Sequence, residues 1–147
     1  MERDPRNIYY TARRRAGLTQ ERWAESIGVC VESVRGYEAG TQIPSDEIVR
    51  AMAEVSGLTP LAYWHLCQKS ALANDELPEV QRLPLPQAVV QLLVAMDDFG
   101  SANPELMRVA SDGRISTEES GAWAQIRARL DGVIRAALQV RYADGGD

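Results

Sequence analysis

The sequence predicts an all-α protein: a head of five short helices, then a C-terminal helical hairpin or bundle. Three observations carry this. Apolar residues recur at spacings of three and four, as in Trp23, Ala24 and Ile27 or Trp123, Ile126 and Leu130. Helix-stopping glycines follow the apolar runs at positions 28, 40 and 57. Cap signatures open other runs, Ser45-Asp46-Glu47 in the head and Ser116-Thr117-Glu118-Glu119 in the second half.

The first helix is predicted from about Asn7 to Ala16, with Ile8, Tyr9 and Ala12 inward. Arg13, Arg14 and Arg15 fall in its last turn, where cations complement the helix dipole. Thr19 caps the second helix, Gln20 to about Ile27, with Trp23, Ala24 and Ile27 on one side. Ala24 is small where two helices must cross closely. Gly28 takes the left-handed turn that a residue without a Cβ adopts cheaply, and Val29 plugs it. A third helix runs from about Val31 to Glu38, buries Val34 and Tyr37, and closes at Gly40. Two helices joined by a short glycine-containing turn form a helix-turn-helix, a unit that lays its second helix in the DNA major groove.

Arg13-x-x-x-Gly17-Leu18-Thr19-Gln20, then Ala24, Ile27-Gly28-Val29 and Val34-x-x-Tyr37-Glu38-x-Gly40, resembles the phage-repressor-like helix-turn-helix family (the Cro/repressor, xenobiotic-response-element group). The resemblance covers about the first 65 residues and not the C-terminal half. It implies a buried ion pair between Arg13 and Glu38 that ties the first helix to the recognition helix. By alignment it places Val31, Glu32, Ser33 and Gly36 against base edges and Gln20 on a phosphate. Thr41 and Gln42 approach the other side of the phosphate track, and Arg35 also reaches a phosphate. The family often has glutamine, asparagine, serine or arginine at the reading positions. Here valine can touch a thymine methyl and glutamate can accept from cytosine N4, while glycine contacts little.

After the loop Thr41–Pro44, a fourth helix runs from the Ser45 cap to about Val55, with Ile48, Val49, Met52 and Val55 inward. Thr59-Pro60 opens a fifth, to about Lys69, carrying Leu61, Tyr63, Trp64, Leu66 and Cys67. This completes a domain of residues 1–69. Residues 70–85 are polar, acidic and broken by Pro78 and Pro84, which predicts a linker.

Residues 86–147 read as a helical assembly domain. Leu85, Val89, Leu92, Met96 and Phe99 recur at helical spacing with Leu93 beside them. Asn103-Pro104-Glu105 is a cap, a proline and an acid in order. The Ser116 capping box opens the longest helix, to about Tyr142. Its stripe of Trp123, Ile126, Leu130, Val133, Ala137 and Val140, widened by Ile134 and Leu138, is the predicted dimerisation face. Repressor-type heads commonly read two half-sites as two-fold dimers. The tail Asp144–Asp147 is expected to be loose.

Composition sets the outer bounds. The hydrophobic fraction of 45% and charged fraction of 25% are those of an ordinary globular chain. No apolar run backs Met1–Pro5, and Ala88–Met96 is far short of the about 20 residues a membrane helix needs. A cytoplasmic location is expected. Net charge is −5: residues 1–70 balance nine Lys/Arg with nine Asp/Glu, whereas residues 71–147 set seven Arg against twelve Asp/Glu. A neutral head on an acidic body predicts weak non-specific DNA affinity.

Other chemistry finds few parts. Cys30 and Cys67 fit neither a disulfide scaffold nor a metal cluster. Cys30 stands at the N-cap of the recognition helix, where a thiol pKa can fall, and Cys67 on an apolar face reads as core. His65 is the only histidine, so no metal cluster or catalytic triad assembles. Ser111–Glu119 echoes half a calcium loop, but the first and third ligand positions are Arg108 and Ala110. The expectation is a non-enzymatic, cofactor-free regulator that binds double-stranded DNA as a homodimer. The alternative is a helix-turn-helix-fold interaction module, such as an antitoxin or scaffold, with little DNA affinity.

Overall fold

A computed structural model describes residues 7–146. Among them are nine helices and no strand beyond one isolated bridge between Pro84 and Asp144. The chain divides into two compact units, Met1–Leu77 and Pro78–Asp147.

In the first unit, α1 (Ile8–Ala16) is capped by Asn7, whose Oδ1 accepts from the Tyr10 N–H at 2.8 Å. Helix α2 (Gln20–Ile27) is capped by Thr19, and α3 (Val31–Ala39) follows after a turn closed by Gly28 at φ 74°. Gly40 ends α3 in the same left-handed conformation; a Cβ at either glycine would strain the backbone. Helices α4 (Asp46–Ser56), α5 (Leu61–Lys69) and α6 (Ala71–Glu76) complete the unit. Tyr9, Ala12, Trp23, Ala24, Ile27, Val34, Val49, Met52, Leu58 and Leu61 form one core. Trp23 anchors α2 and Val34 anchors α3 in it, which fixes the angle at which α3 leaves the head.

Three details differ from the sequence reading. Val55 is 42% exposed, while Ser56 and Leu58 are buried. The inward face of α4 is centred on Val49, Met52 and Ser56, and Val55 lies a quarter turn away. Serine takes the apolar position because it is satisfied: its Oγ donates to Met52 O at 2.6 Å and accepts from the Leu58 N–H at 3.1 Å. On α5, His65 rather than Leu66 is inward, since Leu61, Trp64 and His65 share a face opposite Leu66. The predicted linker is partly helical: Ser70 caps α6 by accepting from the Ala73 N–H at 3.3 Å, and α6 packs on α5.

The second unit is built on an antiparallel hairpin of α7 (Leu85–Gly100) and α9 (Ser120–Arg141), with α8 (Asn103–Asp112) between them in sequence. Gln139 Nε2 donates to Gln91 Oε1 at 2.9 Å, and Arg129 lies 3.7 Å from Asp98, so the register is pinned at two levels. Asn103 is the first residue of α8 and not its cap, which is Ala102. The capping box closes the turn just before α9: the Ser116 N–H donates to Glu119 and the Glu119 N–H to Ser116 Oγ. The tail is not loose at Asp144. Its N–H donates to Leu83 O, its carbonyl accepts from the Leu85 N–H, and its carboxylate pairs with Arg82. Asp147 lies outside the described residues.

The hairpin also divides the predicted dimer stripe. Ile126 is buried and Val133 and Val140 are half-buried facing the interior, with Ala136 and Gln139 buried beside them, while Leu130 and Ala137 are exposed. On α7 the buried position is Ala88, and Leu92, Ala95 and Phe99 are half-buried, whereas Val89 and Met96 point out. Alanines let the helix axes approach; ranking positions by apolar bulk therefore misplaces the seam by one residue.

Candidate nucleic-acid interface

The site is assembled around Glu38. Arg13 grips its carboxylate with a fork, Nε on Oε1 and Nη2 on Oε2 at 3.0 Å, and gives Nη1 to Leu18 O at 2.9 Å. Both side chains are about nine-tenths buried. The hydrogen bonds that Arg13 donates to Glu38, and the charge of that carboxylate, raise the Arg13 pKa further, against the opposing effect of burial. Gln20 Nε2 donates to the same Glu38 Oε2 at 2.8 Å, and Arg35 Nε donates to Gln20 Oε1 at 3.4 Å. A polar chain thus runs from α1 through α3 and the start of α2, back to the surface of α3. Asn7 Nδ2 adds bonds to the Tyr37 and Glu38 carbonyls.

This changes the place of Gln20. Expected to offer its amide to a phosphate, it holds that amide on Glu38 instead. The sequence reading missed Glu21, whose exposed carboxylate accepts from its own backbone N–H and from Thr19, interactions that lower its pKa. An acid in the first turn after a capping threonine was the available signal.

The reading positions separate by direction. Glu32 and Arg35 project from α3, with side chains 78% and 58% exposed and 3.9 Å apart. Val31 is half-buried against the core, and Ser33 is half-buried with its Oγ 3.1 Å from Cys30 Sγ. Gly36 is buried: a Cβ there would lie 2.8 Å from Gln42 Cδ. Val31, Ser33 and Gly36 therefore do not project as base readers in this conformation. Thr41 and Gln42 are exposed, yet the Thr41 hydroxyl and both backbone N–H groups bond Gly36 O, and the Gln42 side chain lies over Gly36. They cap α3 from outside.

Arg22 pairs with Glu25 at 2.9 Å on the surface, and Arg15 Nε approaches Gly57 beyond α4. The outward face of α3 carries one guanidinium and one carboxylate.

Residues 11–62 match the model of a helix-turn-helix domain family. Within that stretch α2, the Gly28 turn and α3 have the helix-turn-helix arrangement. The match runs from within α1 into α5 and includes both helices of the motif. It does not distinguish the phage-repressor group from other helix-turn-helix families. Comparison with curated proteins and with solved structures gives no match.

Gly36→Ala removes a mid-helix glycine, a gain of about 1 kcal/mol, but pushes Gln42 off its seat. In a Gln42→Ala background the same change is expected to stabilise by about 0.5–1 kcal/mol in urea unfolding, and by less in the parent. For the thiols, bonds from Ser33 hold the Cys30 pKa down while burial pushes Cys67 up. At neutral pH a larger fraction of Cys30 is thiolate and it is exposed. It should alkylate roughly tenfold faster than Cys67, with the gap narrowed by Ser33→Ala; mass-resolved iodoacetamide labelling checks both.

Proposed function

We propose that this chain is a cytoplasmic, sequence-specific DNA-binding transcriptional regulator, a dimeric repressor that reads paired half-sites and performs no catalysis. The observation that carries the reading is the helix-turn-helix whose second helix projects the exposed side chains of Glu32 and Arg35. A duplex approached by α3 meets these two first. Arginine can take guanine O6 and N7 or a phosphate, and glutamate accepts from cytosine N4. The N-terminus of α2 favours a phosphate, and Glu21 in its first turn opposes one.

Specificity in this arrangement outweighs raw affinity. A carboxylate on the reading face repels phosphates, so Glu32 penalises every duplex that does not offer it a donor. The same acids, with the net charge of −5, favour a second reading: an interaction module on this fold with little DNA affinity. Fluorescence anisotropy with duplex from upstream of the chain's own gene separates the two. Arg35→Ala should weaken binding by about tenfold and lower the salt slope by about one. Glu32→Gln should tighten binding to unrelated duplex and narrow the gap between operator and unrelated sequence. Indifference to both substitutions favours the interaction module.

A further inference from the structure

We propose that Gln42 is a base-reading residue of the head: its side chain lies in the place that Gly36 leaves empty on the outward face of α3 and offers its amide to adenine. The inference rests on the duplex-binding reading above and names a residue and a base for it.

Helix geometry puts Gly36 on that face. Val34 and Tyr37 are buried in the core, Val31 packs against it and Glu38 is held on Arg13, so this side of α3 points inward. Each residue advances about 100° around a helix. Gly36 is two residues beyond Val34, about 200° around, and so lies opposite the core, one turn after the exposed Glu32. A residue placed there should be open to solvent, yet Gly36 is buried. What covers it is Gln42. The three atoms nearest to where a Gly36 Cβ would stand are Gln42 Cδ, Cγ and Oε1, at 2.8, 3.0 and 3.1 Å. The glutamine therefore fills the position that a side chain at 36 would take, and glycine is the residue that admits it.

The main chain holds Gln42 in this place. Gly40 turns the chain back in the left-handed conformation, and the Thr41 and Gln42 N–H groups donate to Gly36 O at 3.0 and 3.2 Å. The Gln42 side chain takes no part in that cap. The residue is exposed, and its amide is in no hydrogen bond among the described residues. An amide fixed at its root on the outward face and free at its tip is preorganised for a ligand. It presents an acceptor and a donor side by side, the pattern that pairs with adenine N6 and N7 in the major groove. Guanine offers two acceptors on the same edge and leaves the amide oxygen without a donor.

Selection by the full chain from a pool of random-sequence duplexes, then fluorescence anisotropy on the selected site, tests this, with circular dichroism as the control for folding. The parent should select a site with adenine at one fixed position, and replacing that A·T pair by G·C should weaken binding roughly tenfold. Gln42→Ala should select the same site with that position open to any base, and the replacement should then weaken binding by less than about twofold. Gly36→Ala, which keeps the glutamine but displaces it, should lose the same preference and no other. A cap or a phosphate contact would behave differently: Gln42→Ala would weaken all duplexes alike and leave every base preference in place. That result overturns the proposal, as does a Gly36→Ala variant that still selects the adenine. A parent that selects no site contradicts the regulator reading and this proposal together. A parent whose selected site is unchanged by Gln42→Ala contradicts this proposal alone.

Discussion

Glu38→Ala is expected to destabilise the head by about 3–5 kcal/mol, because it strands a buried guanidinium. Arg13 keeps one bond to Leu18 O, and loses both atoms of its fork. The Gln20 amide loses its acceptor in the same step. Urea unfolding should show the midpoint falling with little change in slope. Arg13→Ala should cost a similar amount, and the double variant much less than the sum, since each single change leaves a charge behind. The exposed Arg22–Glu25 pair supplies the contrast: removing it should shift stability by less than about 0.5 kcal/mol. Both pairs join an arginine to a glutamate at hydrogen-bond distance. Burial, not proximity, decides the magnitude.

The second large effect is at His65. The ring is 2% exposed, with Nδ1 2.8 Å from the Tyr9 hydroxyl and Nε2 3.2 Å from Asp46 Oδ1. A carboxylate only accepts, so the ring proton sits on Nε2 and Nδ1 accepts from Tyr9. Lys69 Nζ also donates to Asp46 at 2.8 Å, which joins the end of α5 to the start of α4. His65→Ala opens a cavity and orphans the Tyr9 hydroxyl, a loss of about 3 kcal/mol or more. His65→Phe refills the space but leaves the hydroxyl unpaired, so about 1–3 kcal/mol should remain lost. Adding Tyr9→Phe to that variant should recover most of the remainder, a result that cavity loss alone would not produce.

These two sites mark how far the sequence was legible. Helix boundaries in the head followed local chemistry, caps at Thr19 and Ser45 and left-handed glycines after each apolar run, and local chemistry is written in adjacent residues. The Arg13–Glu38 pair joins positions far apart in sequence, and only the family resemblance pointed to it; nothing in the spacing required it. His65 was invisible for a related reason. A lone histidine shows no partner until the fold brings Tyr9 and Asp46 to it. For Gln20 the family resemblance pointed to a phosphate, and only the fold shows that its amide sits on Glu38. In the C-terminal hairpin the periodicity identified the helices but not the seam, because alanines at 88, 95 and 136 carry little apolar weight and still allow the closest packing.

The central claim is that the outward face of α3 meets a duplex, and equilibrium binding to DNA from upstream of the chain's own gene tests it most directly. The expected result is saturable binding at low salt that weakens as salt rises and exceeds binding to an unrelated duplex of equal length. Equal affinity for both duplexes, or none for either at low salt, would contradict it.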